Sequence, residues 1–537
     1  MKFARVRSIL PDWKNVLAAL ASAILLIGAF PDFEFWFLAW FALVPLLWAV
    51  EREKGSAVKA FVLGWVFGTV FFFGTCWWLT FAPITYAGFP PALAYFLMFG
   101  VTAIVGIFPG IFAVVLSILL KRFGSIAILA APFAWVFTEF LRYWLTGNNW
   151  NAIGYSQAFC RIFTLWPAIG GVLLVSFGLV SINGLWIFSV LTVRSKTMSR
   201  GWQLIISMLP TAAIVLVLCT FPFKFMISDP PYIPNEVIAI QPNVPMSGLD
   251  NQKWGQFRRR QIELAEAAIN LGREREATYN KLQNTNYETL ITVVLPESPM
   301  NFMYEDDPET QEFINSFAVK NNVSVLFNSA EPDSRNGKFF NSAVMVGPEG
   351  REIAQYDKIY LLPFGESVPA PLQSIVPAFV GSFSYGSEYD LLPLGEARAG
   401  IMICFESHFG QLSREYVRNG ADVIIEMTND GYLGPTPVLR QHLANAVFRA
   451  VETNRPVLRV TNVGITAYIN ERGEVLDPAV PYSEDMRVWS VSKSDGMQTF
   501  YVRYGDWFAW LCSAVTIGLL ILSLRRKQSP LATDIKA

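Results

Sequence analysis

A thiol, an ammonium and a carboxylate set the chemistry this chain can perform. Cys404 ends an apolar run, Ala399 to Ile403, and is followed by Phe405-Glu406-Ser407-His408. A strand that delivers a thiol to a sharp turn exposes a nucleophile. Upstream, Glu297 closes the apolar run of Val-Val-Leu-Pro-Glu-Ser, and Lys358 stands in Tyr-Asp-Lys-Ile-Tyr-Leu-Leu-Pro-Phe-Gly-Glu. The thiolate is the attacking form, and a neighbouring ammonium lowers a thiol's pKa. Glu297 is suited to take the thiol proton and later to serve the leaving or attacking group. Lys358 is suited to stabilise the oxyanion of a tetrahedral intermediate, together with the N–H that follows the nucleophile. Glu366, in Phe-Gly-Glu, and Glu406 are supporting carboxylates that orient the lysine or an incoming amine. Base, cation and thiol in this order point to acyl transfer.

Each residue has a plainer explanation taken singly. Glutamates at strand ends and lysines in loops are ordinarily solvated, and a free cysteine packs as a small hydrophobe. The joint occurrence in order is what favours a site. The chain has two histidines, His408 and His442. That excludes a His-rich zinc site, and a Ser-His-Asp triad unless one of these two serves it. His408 offers a rival Cys-His pair four residues past the thiol, but one helical turn beyond an elbow its side chain is expected to point along the helix. His442, in Arg-Gln-His at a helix start, reads as a packing or capping group. No Gly-x-Ser-x-Gly elbow or phosphate-binding Gly-rich loop is evident, and no metal or cofactor is expected.

These residues need a layered α/β scaffold. Strands are expected at Val237 to Ile240, Leu290 to Leu295, Val323 to Phe327, Ala343 to Val346, Ala399 to Ile403, Val423 to Glu426 and Val457 to Val460. Amphipathic helical runs lie between several of them: Gln256 to Leu271, Glu309 to Lys320, Gln411 to Asn419 and Val438 to Asn454.

The rest of the chain is membrane-like. Hydrophobic residues make up 53%, with 17 Trp and 43 Phe, more than a soluble protein of 537 residues normally carries. Apolar segments long enough to cross about 30 Å of hydrocarbon read at 16–31, 34–50, 57–82, 91–120, 126–146, 163–193, 203–223 and 507–524. Lys2, Arg5, Arg7 and Lys14 precede the first; Arg52 and Lys54 follow the second, Lys121 and Arg122 the fourth, Arg194, Lys196 and Arg200 the sixth, and Arg525, Arg526 and Lys527 the eighth. By the positive-inside rule both termini are cytoplasmic, provided the first span is kept rather than cleaved as a signal. The expected organisation is a seven-span bundle at 1–227, an outward-facing domain at 228–505, periplasmic in a Gram-negative cell, and an eighth span with its tail at 506–537. Cys76, Cys219 and Cys512 lie in or near spans, and Cys160 sits by a short outer loop. Cys404 alone belongs to the outer domain, where one cysteine can make no internal bridge. A net charge of −1 does not favour a polyanionic partner such as nucleic acid.

At these residues the chain resembles the nitrilase, or carbon-nitrogen hydrolase, superfamily, in which a Glu-Lys-Cys triad in this order sits on an αββα sandwich. Spans and an outward domain narrow the resemblance to the apolipoprotein N-acyltransferase family, over nearly the whole chain. The pieces that carry it are Gln241-Pro-Asn243 with Lys253-Trp254, Leu-Pro-Glu297-Ser, Asn341-Ser342, Tyr356-Asp357-Lys358, Pro363-Phe-Gly-Glu366, Ile403-Cys404-Phe405-Glu406, Thr428-Asn429-Asp430 and Arg459-Val-Thr-Asn462 with Gly464. In the membrane part they are Glu139-Phe-Leu-Arg142 and Gly154-Tyr-Ser-Gln157. Phe405 replaces a frequent aromatic hydroxyl, and Gly431-Tyr432-Leu433 a tryptophan-containing turn. The resemblance implies transfer of the sn-1 acyl chain of a phospholipid, through a thioester on Cys404, to the α-amino group of the diacylglyceryl-cysteine of an apolipoprotein, in the inner membrane, by a monomer. A membrane-tethered amidase using the same triad is the alternative, and a transporter or scaffold with an inactive outer domain is disfavoured by the filled triad.

Further expectations concern substrate. The apolar stretch 367–396 reads as a lid on the membrane surface. Trp254 and Phe405 are candidates for substrate contact, Trp254 lining the acyl pocket or simply packing. Glu139 and Arg142, one helical turn apart where charge is costly, either bind a phospholipid headgroup or form an internal pair, with Arg142 otherwise snorkelling to the interface.

Overall fold

The computed structural model describes residues 10–160, 166–194, 235–283, 288–297, 302–363, 365–368 and 383–524. The expected seventh span, 203–223, and Cys219 lie outside them.

Two stacked sheets form the α/β part. The first is built from β1 (Asn235–Gln241), β2 (Leu290–Val294), β3 (Ser324–Asp333), β4 (Lys338–Val346), β5 (Glu352–Asp357), β6 (Phe383–Ser384) and β13 (Asp485–Val491), in the order β13-β1-β2-β3-β4-β5 with β6 on β4. The second runs β12 (Val475–Leu476), β11 (Ala467–Ile469), β10 (Val457–Thr461), β9 (Val423–Thr428), β8 (Ala397–Ile403) and β7 (Leu391–Leu394). The period of two along a strand sorts the first sheet's residues. Val237, Ala239, Val294, Leu326, Ala343 and Met345 face the second sheet in one core. Ile238, Ile240, Val293, Val325, Phe327, Val344 and Val346 face Ala265, Ala268, Ile269, Ile314 and Phe317 of the helices Asn251–Gln283 and Pro308–Asn321. Helices Gly410–Arg418 and Val438–Thr453 pack on the second sheet. The result is the αββα sandwich. β1, β2 and β3 run parallel, as do β8, β9 and β10, so their carboxyl ends gather at one edge, where open α/β sheets place ligand sites.

Among the described residues, four helical segments are long and apolar enough to cross a membrane: Ala57–Thr85, Pro91–Thr146, Pro167–Thr192 and Trp507–Leu524. The first expected span is the 15-residue helix Trp13–Ile27, about 22 Å long. The second departs from expectation: 34–50 holds a 3₁₀ turn, Trp36–Trp40, and then the nine-residue helix Val44–Arg52, about 14 Å long and too short to cross alone. The aromatic residues from Phe33 to Trp40 fall in turns and the 3₁₀ segment rather than in one long helix.

Small residues let these helices approach closely. A methyl placed on Gly64 would meet Ala113 Cβ and the Pro109 carbonyl carbon, each at 2.8 Å, and one on Gly68 would meet Pro109 Cγ at 2.8 Å. Gly64→Ala is therefore expected to cost about 1–3 kcal/mol through overpacking, read by thermal unfolding in detergent. Gly100→Ala, with nothing within 4 Å, is the neutral control; equal melting of the two variants contradicts this packing.

The helical part has a polarity. At one end, Ser117 Oγ donates to the Lys54 carbonyl (3.3 Å), and Glu53 accepts from the Asp12 N–H and Asn15 Nδ2 (2.9 and 2.8 Å). Basic Arg52, Lys54, Lys121 and Arg122 cluster there. The other end meets helix Val438–Thr453 of the sandwich. Arg440 forks onto both oxygens of Glu34 (2.6 and 2.8 Å) over the Phe159 ring. Gln441 Oε1 accepts from Trp78 and Trp150 (3.1 and 3.0 Å), and Glu452 Oε1 from the Val172 N–H (3.0 Å).

Candidate active site

β8 runs Ala-Arg-Ala-Gly-Ile-Met-Ile into the core, and Cys404 opens the 3₁₀ turn Cys404–His408 with φ of +52°. A non-glycine residue adopts that conformation only when its surroundings hold it. The thiol is half-buried. Glu297, three residues past β2, and Lys358, directly after β5, arrive from the first sheet at the same edge. Lys358 Nζ lies 2.9 Å from Glu366 Oε1 and 3.6 Å from Glu297 Oε1, with its side chain 1% exposed. Glu297 lies close enough to the Cys404 thiol for its charge to act on it and accepts the Asn429 N–H at 3.2 Å. The structure thus gathers base, cation and thiol from strands far apart in sequence.

Two further residues brace the set. Asn341 Nδ2 donates to Glu366 Oε1 (2.5 Å) and reaches Glu297 Oε1 (3.4 Å), while its carbonyl accepts the Lys358 N–H (2.9 Å). Glu406 is fully buried and accepts four hydrogen bonds: Ile403 N–H (2.9 Å) from the nucleophile strand, and Tyr356 Oη, Ile359 N–H and Tyr360 N–H (2.8, 2.7 and 3.0 Å) from around the lysine. It lashes the lysine segment to the nucleophile turn. Burial pushes its carboxyl up to about 7 against the pull of Lys358.

Electrostatics divides the labour. Burial, reinforced by Glu366, holds Glu297 above the usual carboxylate range despite Lys358. Glu366 is equally desolvated, but the adjacent ammonium and the Leu362 N–H hold it below that range. Carboxylates pushed apart in this way follow the pattern that separates a proton carrier from a fixed anion. For Lys358, burial acts downward but Glu366 and Glu297 outweigh it, so it stays cationic. Cys404 corrects one expectation. Burial and the Glu297 charge push its thiol well above the ordinary range, and Lys358 does not reverse them. The environment thus favours the protonated sulfur.

Other expected residues fall elsewhere. His408 Nε2 accepts the Asn149 N–H (3.0 Å) and its ring stacks on Trp150, which removes it as a partner for the thiol; burial holds it well below its ordinary pKa. The Phe405 ring is 9% exposed and stacked on His408, so it is its N–H rather than its ring that lies beside the nucleophile. Trp254 packs against the helix-covered core of the first sheet. Glu139 and Arg142 are 6% and 4% exposed and bind the 149–153 loop: Glu139 accepts the Ile153 N–H (2.9 Å), and Arg142 donates to the Trp150 carbonyl and Asn149 Oδ1 (2.9 Å each). Both side chains also line a small cavity together with Phe72, Trp135 and Asn151. Of the expected lid, 369–382 lies outside the described residues, and its far end is pinned by β6 and β7.

Sequence reasoning missed His442. Its Nε2 lies 3.1 Å from the Cys404 carbonyl oxygen and its Nδ1 2.8 Å from Asp430 Oδ1. Only the coincidence of Asp430, Arg459 and a histidine in one chain hinted at it, and their sequence separation hides the cluster.

One wall of the site belongs to the membrane helices. Tyr86 Oη donates to the Gly431 carbonyl (3.1 Å), its ring meets Tyr432 edge-on, and Tyr432, 52% exposed, lies close enough to Glu297 and Cys404 to feel their charge.

Residues 22–185 match the apolipoprotein N-acyltransferase N-terminal domain family, and 288–495 the carbon-nitrogen hydrolase family. The chain is 30% identical to an apolipoprotein N-acyltransferase of Geobacter metallireducens, covering 98% of this chain and 99% of that one. Similar proteins of the same name occur in Photobacterium profundum (26% identity; 95% of each chain) and Pasteurella multocida (28%; 94% of each).

Proposed function

Since this chain belongs to the apolipoprotein N-acyltransferase family, we propose that it moves an acyl chain from phospholipid to lipoprotein through Cys404, with Glu297 as the base and Lys358 as the cation of the oxyanion site. As Cys404 Sγ attacks the sn-1 ester carbonyl, Glu297 takes the thiol proton. The tetrahedral oxyanion faces Lys358 Nζ and the Phe405 N–H. Collapse forms the thioester and expels the lysophospholipid oxygen, which takes the proton from Glu297. The α-amino group of the diacylglyceryl-cysteine then attacks the thioester, giving a proton to Glu297 while the amide forms, and the departing sulfur recovers a proton.

The observation that carries this reading is the thiol's place at the seam with apolar helices, beside Tyr86 and Tyr432. Two lipid-anchored substrates meet there without drawing acyl chains into water, which costs about 0.8 kcal/mol per CH₂. We assign 1–227 and 506–537 to the membrane and 228–505 to catalysis. The basic loops lie at the end away from the site, which supports a site on the outer, periplasmic face of the inner membrane.

The test is to supply phosphatidylethanolamine and a diacylated lipopeptide and to follow product by mass spectrometry. Triacylated peptide is expected; fatty acid or ammonia alone would point to the amidase chemistry instead. The base makes a second prediction. Glu297 must be ionised to accept the proton and its carboxyl sits above the usual range, so single-turnover acylation should rise with pH through an apparent pKa above that of an ordinary glutamate. Glu297→Gln should lower that rate by about 10²–10⁴-fold and flatten the rise. A variant keeping both rate and pH profile would remove Glu297 from the role.

A further inference from the structure

Beneath the nucleophile turn lies a closed cluster: His442, Asp430, Glu426 and Arg459, whose side chains are at most 5% exposed. His442 Nδ1 faces Asp430 Oδ1 at 2.8 Å, and Nε2 faces both the Cys404 carbonyl oxygen and Glu426 Oε1 at 3.1 Å. Arg459 binds the same carboxylates, Nη1 to Glu426 Oε1 (2.5 Å) and Nη2 to Asp430 Oδ2 (2.8 Å). Every group that His442 touches is an acceptor. Both ring nitrogens must therefore donate, and the ring is an imidazolium. Two cations and two carboxylates leave the cluster neutral, as a buried cluster must be.

The Cys404 carbonyl and the Phe405 N–H belong to one planar trans peptide, so they point to opposite sides of the chain. Fixing the oxygen on one side fixes where the N–H aims on the other. We infer that His442 is a positioning residue for the oxyanion site: by holding the Cys404 carbonyl it directs the Phe405 N–H toward the developing oxyanion. This rests on Cys404 being the nucleophile. The peptide needs such an anchor, because φ of +52° at Cys404 is sparsely populated. The only other side-chain donor to that carbonyl among the described residues is Ser407 Oγ, longer at 3.3 Å. Burial and Arg459 push the imidazole toward neutrality, but Asp430 and Glu426 lift it to about 9, so it keeps both donors at neutral pH.

Two reactions of one thiol test this. Acylation by phospholipid passes through an oxyanion; alkylation by iodoacetamide, a displacement at carbon, does not. In full-length His442→Gln, acylation should fall by about 10–100-fold, less than the roughly 10²–10³-fold that outright loss of an oxyanion donor costs. KM and the alkylation rate should stay within about threefold of the parent. His442→Gln with Asp430→Asn removes one charge of each sign, keeps the cluster neutral if the single variant folds poorly, and should show the same split. Acylation at the parent rate in either variant, or acylation and alkylation falling together, would overturn the inference. A parent chain alkylated at Cys404 but never acylated would instead defeat the nucleophile assignment, and the inference with it.

Discussion

Cys404→Ala should lose acyl transfer by at least about 10⁴-fold, the scale seen when a covalent nucleophile is removed, and should carry no acyl group after incubation with phospholipid. The reason is geometric as well as chemical. Cys404 carries a sulfur close enough to Glu297 and Lys358 to feel both charges, on a residue whose left-handed backbone follows β8. The side chain is small and half-buried, so the elbow should survive the change, with near-parental melting. Cys404→Ser is a sharper version. A hydroxyl is far harder to deprotonate than a thiol, so Glu297 should fail to activate it, and loss of at least about 10³-fold is expected. Labelled acyl group bound covalently to the alanine variant would sink the assignment.

The second large effect is expected at Lys358. Its ammonium separates two buried carboxylates, 2.9 Å from Glu366 and 3.6 Å from Glu297. In Lys358→Met these carboxylates cannot both stay ionised, because like charges sharing a desolvated site push one pKa up strongly. The pair takes up a proton and Glu297 is disabled as a base, while the oxyanion loses its cation. Losing base and cation together should slow single-turnover thioester formation by about 10³-fold or more. An unpaired buried charge also costs about 3–5 kcal/mol of stability. Adding Glu366→Gln should restore much of that stability without restoring turnover. A Lys358→Met chain acylating within tenfold of the parent would show that the lysine is structural only.

Glu297 and Cys404 were legible because each follows a strand whose apolar run is visible in sequence, whereas Lys358 was legible only from its surrounding motif. Ala399 to Ile403 marks β8, and the runs at 237–240, 290–295, 423–426 and 457–460 mark β1, β2, β9 and β10 to within a few residues. β5 was not legible: Glu-Ile-Ala-Gln-Tyr-Asp at the sheet edge has too few buried positions to leave an apolar signature. The short strands β6, β7, β11 and β12 were hidden for the same reason. Burial is a property of the assembled sandwich, so the high thiol pKa at Cys404 could not be read from a neighbouring lysine alone. His442 is 38 residues from Cys404, and nothing in Arg-Gln-His tells which carbonyl the ring will meet. Charge in an apolar helix points to function in general, but nothing in the spacing of Glu139 and Arg142 told that both would hydrogen-bond the 149–153 loop.

The most direct measurement of the account is the intact mass of the full chain after incubation with phosphatidylethanolamine of one defined acyl composition and no acceptor. The account predicts an added mass of one acyl chain, localised to the peptide holding Cys404 and released by neutral hydroxylamine. On adding a diacylated lipopeptide that mass should leave the protein as triacylated peptide forms. Triacylated peptide produced at full rate by a chain that never carries the thioester, or an acyl group resident on another residue, would contradict it.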